Sequence, residues 1–298
     1  MSSGVRISIR DLEVRYPGTR RPVLQGLDLK LPAGGTLAVV GESGSGKSVL
    51  VRALLGLAPV TSGAVFLEDL NITRARGARL RAVRRGIGTV FQSPVDSLDP
   101  RWSARRSVAE ALALRDSGAI SAQMDAAGAL LAEVDIPAAR HDALPAALSG
   151  GECQRVAIAR AVAGDPDLVL ADEPTAMLDP ETASRVLRLL AKLQRNRGFT
   201  LVFITHHIRE LELLPGALLV LCAGRVAEAT AAPIKAPAHP FSRYLWAAAE
   251  GPVDPVELAD AGCPFQPGCP RAEAACAAAY PASVEIEDGW TIWCHNPE

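Results

Sequence analysis

The sequence predicts an α/β protein with a mainly parallel central sheet, antiparallel β-structure before it, an inserted helical subdomain and a small Cys-rich C-terminal extension. An apolar run at residues 36–40 leads into the glycine-rich segment 41–48, and an apolar-periodic run follows, which indicates strand, loop and helix. Residues 168–205 repeat the order strand, helix, strand, which favours parallel pairing. Residues 102–148 are rich in Ala and Leu at helical spacing, which predicts the insertion.

The N-terminal third contains further predicted strands. Polar and apolar residues alternate over 5–16, and the pattern resumes over 23–31 after a Pro-Gly turn, which predicts antiparallel β-structure. Residues 63–67 and 86–91 are also predicted strands. The Arg-rich segment 74–85 between them is predicted to be helical. Its charge is typical of a solvated helix face, and an anion site is the alternative.

The C-terminal half predicts a hairpin and then a change of composition. Apolar residues interrupted by Ala-Gly over 218–228 indicate a closing hairpin. From Pro233 onward the chain is rich in Pro and Ala and then in Cys, so we place a domain boundary there. The predicted domains are therefore residues 1–232, which include the helical subdomain at about 102–160, and the extension 233–298.

Composition excludes several classes of protein. The 298 residues are 49% hydrophobic, which is enough for a substantial core. A net charge of −2 gives no general attraction to nucleic acid or to an anionic membrane, so nucleic acid is not an expected partner. No apolar run is long enough to cross a bilayer, and the N-terminus lacks the apolar core of a signal peptide. We therefore expect a cytoplasmic chain, in which structural disulfides are rare.

The glycine-rich loop has the composition of a phosphate site. Glycines allow several backbone N–H groups to point at one phosphate, and the helix that follows adds its positive end. Lys47 is expected to reach the β- and γ-phosphates of a nucleotide, and Ser48 a magnesium ion. The predicted nucleotide-binding residues of this segment are Gly41, Ser43, Gly44, Ser45, Gly46, Lys47, Ser48 and Val49.

A second segment supplies two carboxylates. The apolar run 168–171 ends in Asp172 and Glu173, which follow the glycine-rich loop by more than a hundred residues. Asp172 is suited to hold magnesium through water, and Glu173 to polarise the water that attacks the γ-phosphate. Adjacent acids at a strand end are also common surface features, so the prediction depends on their occurrence together with the loop.

A third motif, Leu148-Ser-Gly-Gly-Glu-Cys-Gln-Arg155, places a Ser-Gly-Gly turn at the start of a helix. It resembles the signature motif of ATP-binding cassette (ABC) proteins. The resemblance covers roughly residues 5–230 and implies a P-loop NTPase fold with a RecA-like core. It also implies that Ser149, Gly150 and Gly151 close over ATP held by a partner cassette in a head-to-tail dimer.

The same resemblance assigns four further positions. Tyr16 corresponds to the residue that stacks on adenine, Gln92 to the glutamine that senses magnesium and water, and His206 to the γ-phosphate histidine. Asp179 closes the loop after the acidic pair. Taken singly, Tyr16 is better explained by strand packing, Gln92 as a loop amide and His206 as a strand-end histidine. Their order and spacing favour the family assignment.

The sequence departs from the family pattern at positions that carry no catalytic group. Ala176 and Met177 replace commoner residues before Asp179, and His207 replaces a usual aspartate after His206. Asp99 takes the place of the asparagine of a Ser-Leu-Asn-Pro sequence. Cys153 lies in the signature helix and is interpreted as a packing residue.

Residues 91–100 and 236–245 resemble segments of ATPases that serve dipeptide, oligopeptide and nickel importers. The extension then carries Cys263, Cys269, Cys276 and Cys294, spaced as in the oligopeptide-transporter extension, which in some members holds a 4Fe-4S cluster. Four thiolates in a tail with few apolar residues suggest a metal that compensates for missing burial. Zinc is the less favoured metal, because close Cys-x2-Cys pairs are absent. Disulfides and unligated thiols are further alternatives.

The resemblance implies an ATP-hydrolysing subunit of a peptide-type ABC importer. Its expected cofactors are ATP, magnesium, held by Ser48 and Gln92, and the cluster. Its expected partners are a second ATPase subunit, preferably in a heterodimer, two membrane permeases and an extracytoplasmic substrate-binding protein. It would lie on the cytoplasmic face of the plasma membrane and reach the membrane only through the permeases. A nickel or metallophore importer and a non-transport ATPase of a soluble complex are the alternatives.

Overall fold

The structure is a computed structural model that describes residues 4–116, 118–234 and 236–297. Contacts divide the chain into two compact units. The helical unit comprises Ala75–Phe203 and Pro32–Gly35 together with residues up to Arg6. The β-rich unit comprises Ile7–Leu31, Thr36–Arg74 and Ile204–Glu298. Residues 1–3, on which the expectation about a signal peptide partly rests, lie outside the described part of the chain.

The strands are numbered in chain order. They are β1 (Ile7–Val14), β2 (Leu24–Leu31), β3 (Thr36–Val40), β4 (Val60–Leu67), β5 (Leu70–Asn71), β6 (Ile87–Val90), β7 (Leu168–Asp172), β8 (Thr200–Ile204), β9 (Ala217–Cys222), β10 (Arg225–Thr230), β11 (Ser283–Glu287) and β12 (Trp290–Trp293).

The α-helices are α1 (Lys47–Leu54), α2 (Gly77–Arg85), α3 (Ala104–Asp116), α4 (Met124–Glu133), α5 (Gly150–Val162), α6 (Pro180–Arg197), α7 (Pro240–Glu250) and α8 (Ala274–Ala278). Short 3₁₀ helices occupy Ile120–Gln123, Ala138–Arg140, Pro145–Ala147, Ile208–Glu212 and Gln266–Gly268. No helix in the described part of the chain is long and apolar enough to cross a membrane.

The β-rich unit contains two groups of strands. The first has the order β2-β1-β4-β5 and is antiparallel throughout, as the alternating N-terminal pattern predicts. In the second, β3 pairs with β9 in parallel, and β9, β10, β12 and β11 continue as antiparallel neighbours. The buried residues of β3 and β9 form continuous apolar runs, as expected for strands covered on both faces.

The helical unit contains the strand order β8-β7-β6, and β6 and β7 pair in parallel. All regular elements described between residues 104 and 162 are helical, which agrees with the predicted insertion. Gly88 allows β6 to lie close to α5, since a side chain there would collide with the backbone of Ala161. The proposed domain boundaries themselves remain predictions.

The C-terminal extension buries more apolar surface than its composition suggests. Phe241 on α7 and Phe265 are almost fully buried, and their ring centroids lie 5.3 Å apart. β12 pairs with β10, so the extension continues a sheet that begins in the preceding part of the chain. Our expectation of a tail with few apolar anchors was therefore incomplete, because the anchors are widely spaced along the sequence and meet only in the fold.

Glu228 fastens the extension to β10. Its carboxylate is fully buried and accepts hydrogen bonds from the backbone N of Ala238 (3.0 Å) and of His239 (3.2 Å). Trp290 Nε1 donates a third bond to Glu228 Oε1, at 2.7 Å. A buried carboxylate is stable only when such donors compensate for lost water, so these three bonds account for its burial.

Candidate nucleotide site

The glycine-rich loop between β3 and α1 forms a tight backbone turn. Gly41 has a φ of 152° and Gly46 a φ of 100°, both in the region that favours glycine. A side chain on Gly41 would collide with the carbonyl oxygen of Leu221, and one on Gly46 would lie 2.7 Å from Leu24 Cδ2. Gly224 N also donates to Ser45 O, at 3.0 Å, which ties the loop to the turn between β9 and β10.

Lys47 is held at the centre of this loop. Its ammonium donates to the carbonyl oxygens of Gly41 (2.7 Å) and Glu42 (2.8 Å), and the residue is only 5% exposed. Burial raises the pKa of the Glu42 carboxyl, and the neighbouring Lys47 charge partly opposes that rise. The Ser45 hydroxyl is buried and has no hydrogen-bond partner.

These features fit a bound polyphosphate. The N-terminus of α1 has no side-chain cap and no acidic residue in its first turn, so no negative side chain competes with an anion for its positive end. The space beside Gly44 is open, and the unsatisfied Ser45 hydroxyl lacks only an acceptor or donor. Ser43, Gly44 and Ser48 are exposed, whereas Ser45, Gly46 and Lys47 are buried.

The β-rich unit also contains His206 and Tyr16. Thr205 N donates to Val39 O at 3.1 Å, so His206 emerges one residue beyond the level of Val39 on β3. The Thr205 hydroxyl donates to Glu210 Oε2 (2.6 Å) and accepts from His207 N (2.9 Å), which fixes this strand end. His206 is exposed and its ring lies 4.0 Å from that of His207. Tyr16 is half-buried in the turn after β1.

In the helical unit, Glu173 has an unusual backbone conformation. Asp172 ends β7, and Glu173 follows with a φ of 47°, which is uncommon for a residue with a side chain. Such strain costs about 1–3 kcal/mol and is often found at functional positions. Asp179 is the N-cap of α6, where its carboxylate accepts from Thr182 N at 3.0 Å, and that bond lowers its pKa.

The signature segment begins α5 with a reciprocal cap. The Ser149 hydroxyl accepts from Glu152 N (3.2 Å), while the Glu152 carboxylate accepts from Ser149 N (2.8 Å). Arg140 donates two further bonds to Glu152, at 3.1 and 3.0 Å, and lowers its carboxyl pKa to about 2 together with the Ser149 bond. Gly150 is exposed and Gly151 is buried.

Gln92 and Asp99 lie in the exposed segment after β6. Gln92 is exposed two residues beyond the strand, beside the 48% exposed Phe91. Asp99 accepts from Arg101 N at 2.9 Å, and its two oxygens accept from the Arg101 guanidinium at 3.0 and 2.8 Å. These bonds lower the pKa of Asp99 to about 2. The pairing explains how a carboxylate is accommodated where related importers have an amide.

The predicted nucleotide residues thus fall into two sets. The loop 41–49, Tyr16 and His206 belong to the β-rich unit, in which Lys47 and Ser45 contact the rest of the loop directly. The helical unit contains the other predicted residues, namely Gln92, Ser149, Gly150, Gly151, Asp172, Glu173 and Asp179.

Sequence reasoning missed the residues that support these two sets. Arg140 binds Glu152 across a separation of twelve residues, and Thr205 binds Glu210. The motif Ser-x-x-Glu at 149–152 was a visible signal for the reciprocal cap. The Arg140 contact had no comparable local signal, because it depends on the fold of the segment that precedes α5.

All six cysteines are free thiols. Burial raises the pKa of Cys263 to about 11, a nearby Phe265 backbone bond opposes this, and Cys276, Cys269 and Cys294 add to the rise. The tail cysteines therefore lie within electrostatic range of one another. Within the described residues, however, no group of three or more His, Cys, Asp or Glu side chains is arranged to hold a metal ion.

Comparison with protein families decides the class of the chain. The family model described as "ABC transporter" matches residues 24–176, a range that contains the glycine-rich loop, the signature segment and the acidic pair. The chain belongs to the ABC transporter family. Its fold is that of an ATP-binding cassette, and it is an ATPase of the transporter class, so these predictions are confirmed.

Several curated ABC relatives align with nearly the whole chain. "Probable peptide ABC transporter ATP-binding protein y4tS" of Sinorhizobium fredii is 34% identical and covers 98% of this chain and 90% of the relative. "Probable D,D-dipeptide transport ATP-binding protein DdpF" of Escherichia coli is 30% identical and covers 98% of both chains. "Methionine import ATP-binding protein MetN" of Bradyrhizobium diazoefficiens is 41% identical over 82% of this chain and 71% of its own.

Solved ABC structures share the cassette fold. A dimeric structure of the bacterial ABC transporter cassette MJ0796 has a TM-score of 0.67 and 31% identity, and it covers 74% of this chain and 96% of MJ0796. A dimeric post-hydrolysis state of MJ0796 bound to ADP and Pi has a TM-score of 0.66 and 28% identity, over the same shares. MJ0796 is thus a dimer in both structures, and in one of them it is bound to ADP and Pi.

Proposed function

We propose that this ABC ATPase powers the import of di- or oligopeptides. The observation that carries the proposal is the extent of the similarity to relatives named for peptide transport, which covers 98% of the chain and therefore includes the C-terminal extension. The similarity to the methionine-import relative is higher in identity but covers 82% of the chain. The peptide relatives thus resemble the part that distinguishes this chain from a minimal cassette.

The geometry of the loop supports the proposed roles in ATP binding. Lys47 is held by loop carbonyls, so its charge is positioned for the β- and γ-phosphates with little loss of side-chain entropy on binding. Ser48, in the first turn of α1, and Gln92 would hold magnesium, which would neutralise charge on the phosphates. Tyr16 would stack on the adenine ring.

Hydrolysis is proposed to depend on Glu173 as general base. Glu173 directly follows the end of β7 with a strained backbone, next to Asp172, which would orient water around the magnesium ion. His206 would contact the γ-phosphate from the end of β8, where Thr205 is anchored by two hydrogen bonds. These residues orient the attacking water and stabilise the charge that develops on the γ-phosphate.

We propose that the working unit is a head-to-tail pair of cassettes. Ser149, Gly150 and Gly151 begin a long helix and would present its positive end to ATP bound by the partner. A heterodimer is favoured over a homodimer, with two permeases and an extracytoplasmic substrate-binding protein completing the importer. The ATPase would lie at the cytoplasmic face of the plasma membrane, attached through the permeases.

The tail cysteines are proposed to bind a 4Fe-4S cluster, with zinc as the less favoured metal. The donor set supports this, because four thiols lie within electrostatic range of one another in a segment without disulfides. Binding would require the sulfur atoms to converge from the described arrangement, in which no metal-binding group is present. The role of such a cluster would be structural.

The Glu173→Gln variant tests the assigned base. We expect it to bind ATP but to hydrolyse it at least a hundredfold more slowly, roughly the contribution of a general base, and to accumulate as an ATP-bound dimer. Turnover in the assembled transporter and size-exclusion chromatography with ATP would measure both effects. Lys47→Ala should instead lose ATP affinity, because the phosphate charge loses its partner.

A matched control is Glu181→Gln, which makes the same chemical change on the exposed first turn of α6. It should retain normal turnover, and equal turnover in Glu173→Gln and the parent would disprove the assignment. Uptake of labelled di- and oligopeptides, compared with labelled nickel, tests the solute class. Nickel uptake without peptide uptake would contradict the proposed function while leaving the ATPase assignment intact.

A further inference from the structure

Residues 74–85, which contain helix α2, form the most positively charged segment of the chain. Residues 74–85 contain six arginines and no acidic residue. Taking these six charges from the total of −2 leaves −8 on the rest of the chain. The protein would therefore be repelled by an anionic surface on average, and this segment gives it the highest local density of positive charge.

The local structure explains only part of this charge as a stabilising feature, because Arg84 and Arg85 in the last turn favour the negative end of the helix, whereas the arginines at its start do not. Arg76 is the N-cap of α2, it makes no side-chain cap bond, and the first turn of the helix contains no acid. Positive charge at a helix N-terminus is unfavourable, and the pair Arg81 and Arg85 places like charges one turn apart. Leu80 is the one buried residue of the helix, so α2 is held by little apolar contact.

The exposed face of α2 combines small and basic residues. Ala78 and Ala82 lie one turn apart, opposite the buried Leu80, and both are exposed. Arg79 lies on one side of these alanines, and Arg81 and Arg85 lie on the other side, all exposed. The alanines permit close approach to a flat surface, and the long arginine side chains can extend around them towards phosphate groups.

We propose that this face of α2, defined by Ala78, Arg79, Arg81, Ala82 and Arg85, docks on the anionic phospholipid surface of the membrane. Arginine binds phosphate through paired N–H donors, and basic residues near an anionic bilayer each strengthen binding. The face has no large exposed apolar residue, so the contact is electrostatic and the helix does not insert. Docking through this one face would attract the protein to the membrane and also fix the orientation of the protein on it.

The inference rests on the proposed location at the membrane, but its test needs no permease. The full chain is sedimented with vesicles of phosphatidylcholine alone and with vesicles that also contain phosphatidylglycerol. Binding is expected only to the mixed vesicles, and it should weaken when salt is raised to physiological strength. The variant Arg79→Ala/Arg81→Ala/Arg85→Ala should bind the mixed vesicles about a hundredfold less tightly at low salt.

A matched control removes the same charge elsewhere on the same unit. Arg188, Lys192 and Arg195 are exposed on α6, and their triple replacement by alanine should reduce vesicle binding far less. Both variants should retain the ATP affinity of the parent, which shows that they are folded. Equal vesicle binding by the two variants, or no binding by the parent, would show that the face is only solvated. Either result would leave the transport proposal untouched.

Discussion

The backbone conformation of Glu173 is a feature of the site that its sequence motif does not predict. The residue type and its position after an apolar run were readable from the sequence, but its φ of 47° was not. In the part of the chain that the structure describes, five other residues with side chains share this backbone region, namely Asp11, Glu68, Asp135, Asp165 and Ala223. Aspartate adopts this region more readily than most residues, and Asp11 lies at an irregularity of β1. Glu173 has no such local preference, and neither does Glu68, which follows β4 in the same way.

His239 is a second residue whose role depends on the fold. It is the N-cap of α7, where Nδ1 accepts from Phe241 N (3.0 Å), while Nε2 lies 3.1 Å from the carbonyl oxygen of Trp293. Nδ1 must therefore be the unprotonated nitrogen, and the ring is neutral. Burial lowers the pKa of His239 to about 4, against a smaller opposing effect of the Trp293 bond.

This pKa predicts a loss of stability in mild acid. Between pH 6.5 and about 4 the unfolded chain binds a proton at His239 that the folded chain does not, so the free energy of unfolding falls as pH falls through this window. The contribution is about 2 kcal/mol between pH 7 and 5. In His239→Asn, whose amide oxygen can replace Nδ1 as the cap, denaturant unfolding should show a correspondingly smaller difference between these pH values.

The control for that measurement is His295→Asn, which removes an exposed histidine of the same extension. It should keep the pH dependence of the parent. If His239→Asn and the parent lose the same free energy of unfolding between pH 7 and 5, proton binding at His239 is not the cause.

At the scale of elements, the two helices α5 and α6 constrain each other at their N-terminal turns. Gly151 has ordinary helical geometry, yet a side chain there would lie 2.6 Å from Thr182 Cγ2. Thr182 is held in place because its backbone N donates to the Asp179 cap. The second glycine of the signature is therefore required for packing of α5 against α6, in addition to any contact with a nucleotide.

The contact between Gly151 and Thr182 reverses the expected effect of Gly151→Ala on the free energy of unfolding. With free space, Gly151→Ala would stabilise the helix by about 1 kcal/mol, because alanine is the better helix former. The steric conflict predicts instead a loss of about 1–3 kcal/mol. Adding Thr182→Ser removes the conflicting methyl and keeps the backbone cap bond, so the double variant should recover most of the loss in a denaturation experiment.

A double-mutant cycle separates this contact from general damage. Thr182→Ser alone should change the free energy of unfolding little, since its backbone bond to Asp179 remains. Additive losses in the double variant would show that Gly151 and Thr182 do not conflict.

Most element boundaries were predictable where hydrophobic period and turn residues agree. The helix predicted between the two strands of residues 168–205 is α6, Pro180–Arg197, and the predicted strand 86–91 is β6, Ile87–Val90. The hairpin β11–β12 was not predicted, although residues 283–287 alternate, because its partner β10 lies about sixty residues earlier in the chain. Pairing over such separations leaves no local pattern.

At the scale of the whole molecule, the sequence motifs were sufficient for the ABC family and the ATPase class, because loop, signature and acidic pair occur in order. They were insufficient for the extension, whose cysteines are spread over thirty-two positions and whose packing uses Phe241, Phe265 and Glu228 from other segments. The physical reason is that metal binding depends on sulfur positions, which spacing alone does not determine.

The proposed cluster makes a prediction about the purified protein. If the four tail cysteines bind 4Fe-4S, anaerobically prepared protein should be brown and contain about four irons and four sulfides per chain. Replacing Cys263, Cys269, Cys276 or Cys294 by serine should remove the colour and loosen residues beyond about 252, while ATP binding through Lys47 should largely survive. Iron analysis, absorption spectra and proteolysis measure these effects.

Cys153 is the matched control, because it is a buried thiol outside the extension segment. Its replacement should leave the colour unchanged. Cys222 is unsuitable as a control, because it lies close enough to Cys263 for that thiol to contribute to its raised pKa. Stoichiometric zinc without iron would exclude the cluster and favour a zinc site, and absence of both metals would exclude a metal in the tail.

The outer strand β11 protects the edge of its sheet, so a truncation that removes it has a consequence for self-association. As the last strand of its sheet it exposes unpaired backbone groups, and the side chains of Glu285 and Glu287 place negative charge along that edge. Charged residues on an edge strand oppose pairing with a second molecule. A chain ending at residue 232 would lose β11 and β12 and present β10 instead, with Glu228 no longer held by Trp290. Such a truncated cassette would keep its nucleotide loop and become prone to self-association through β10.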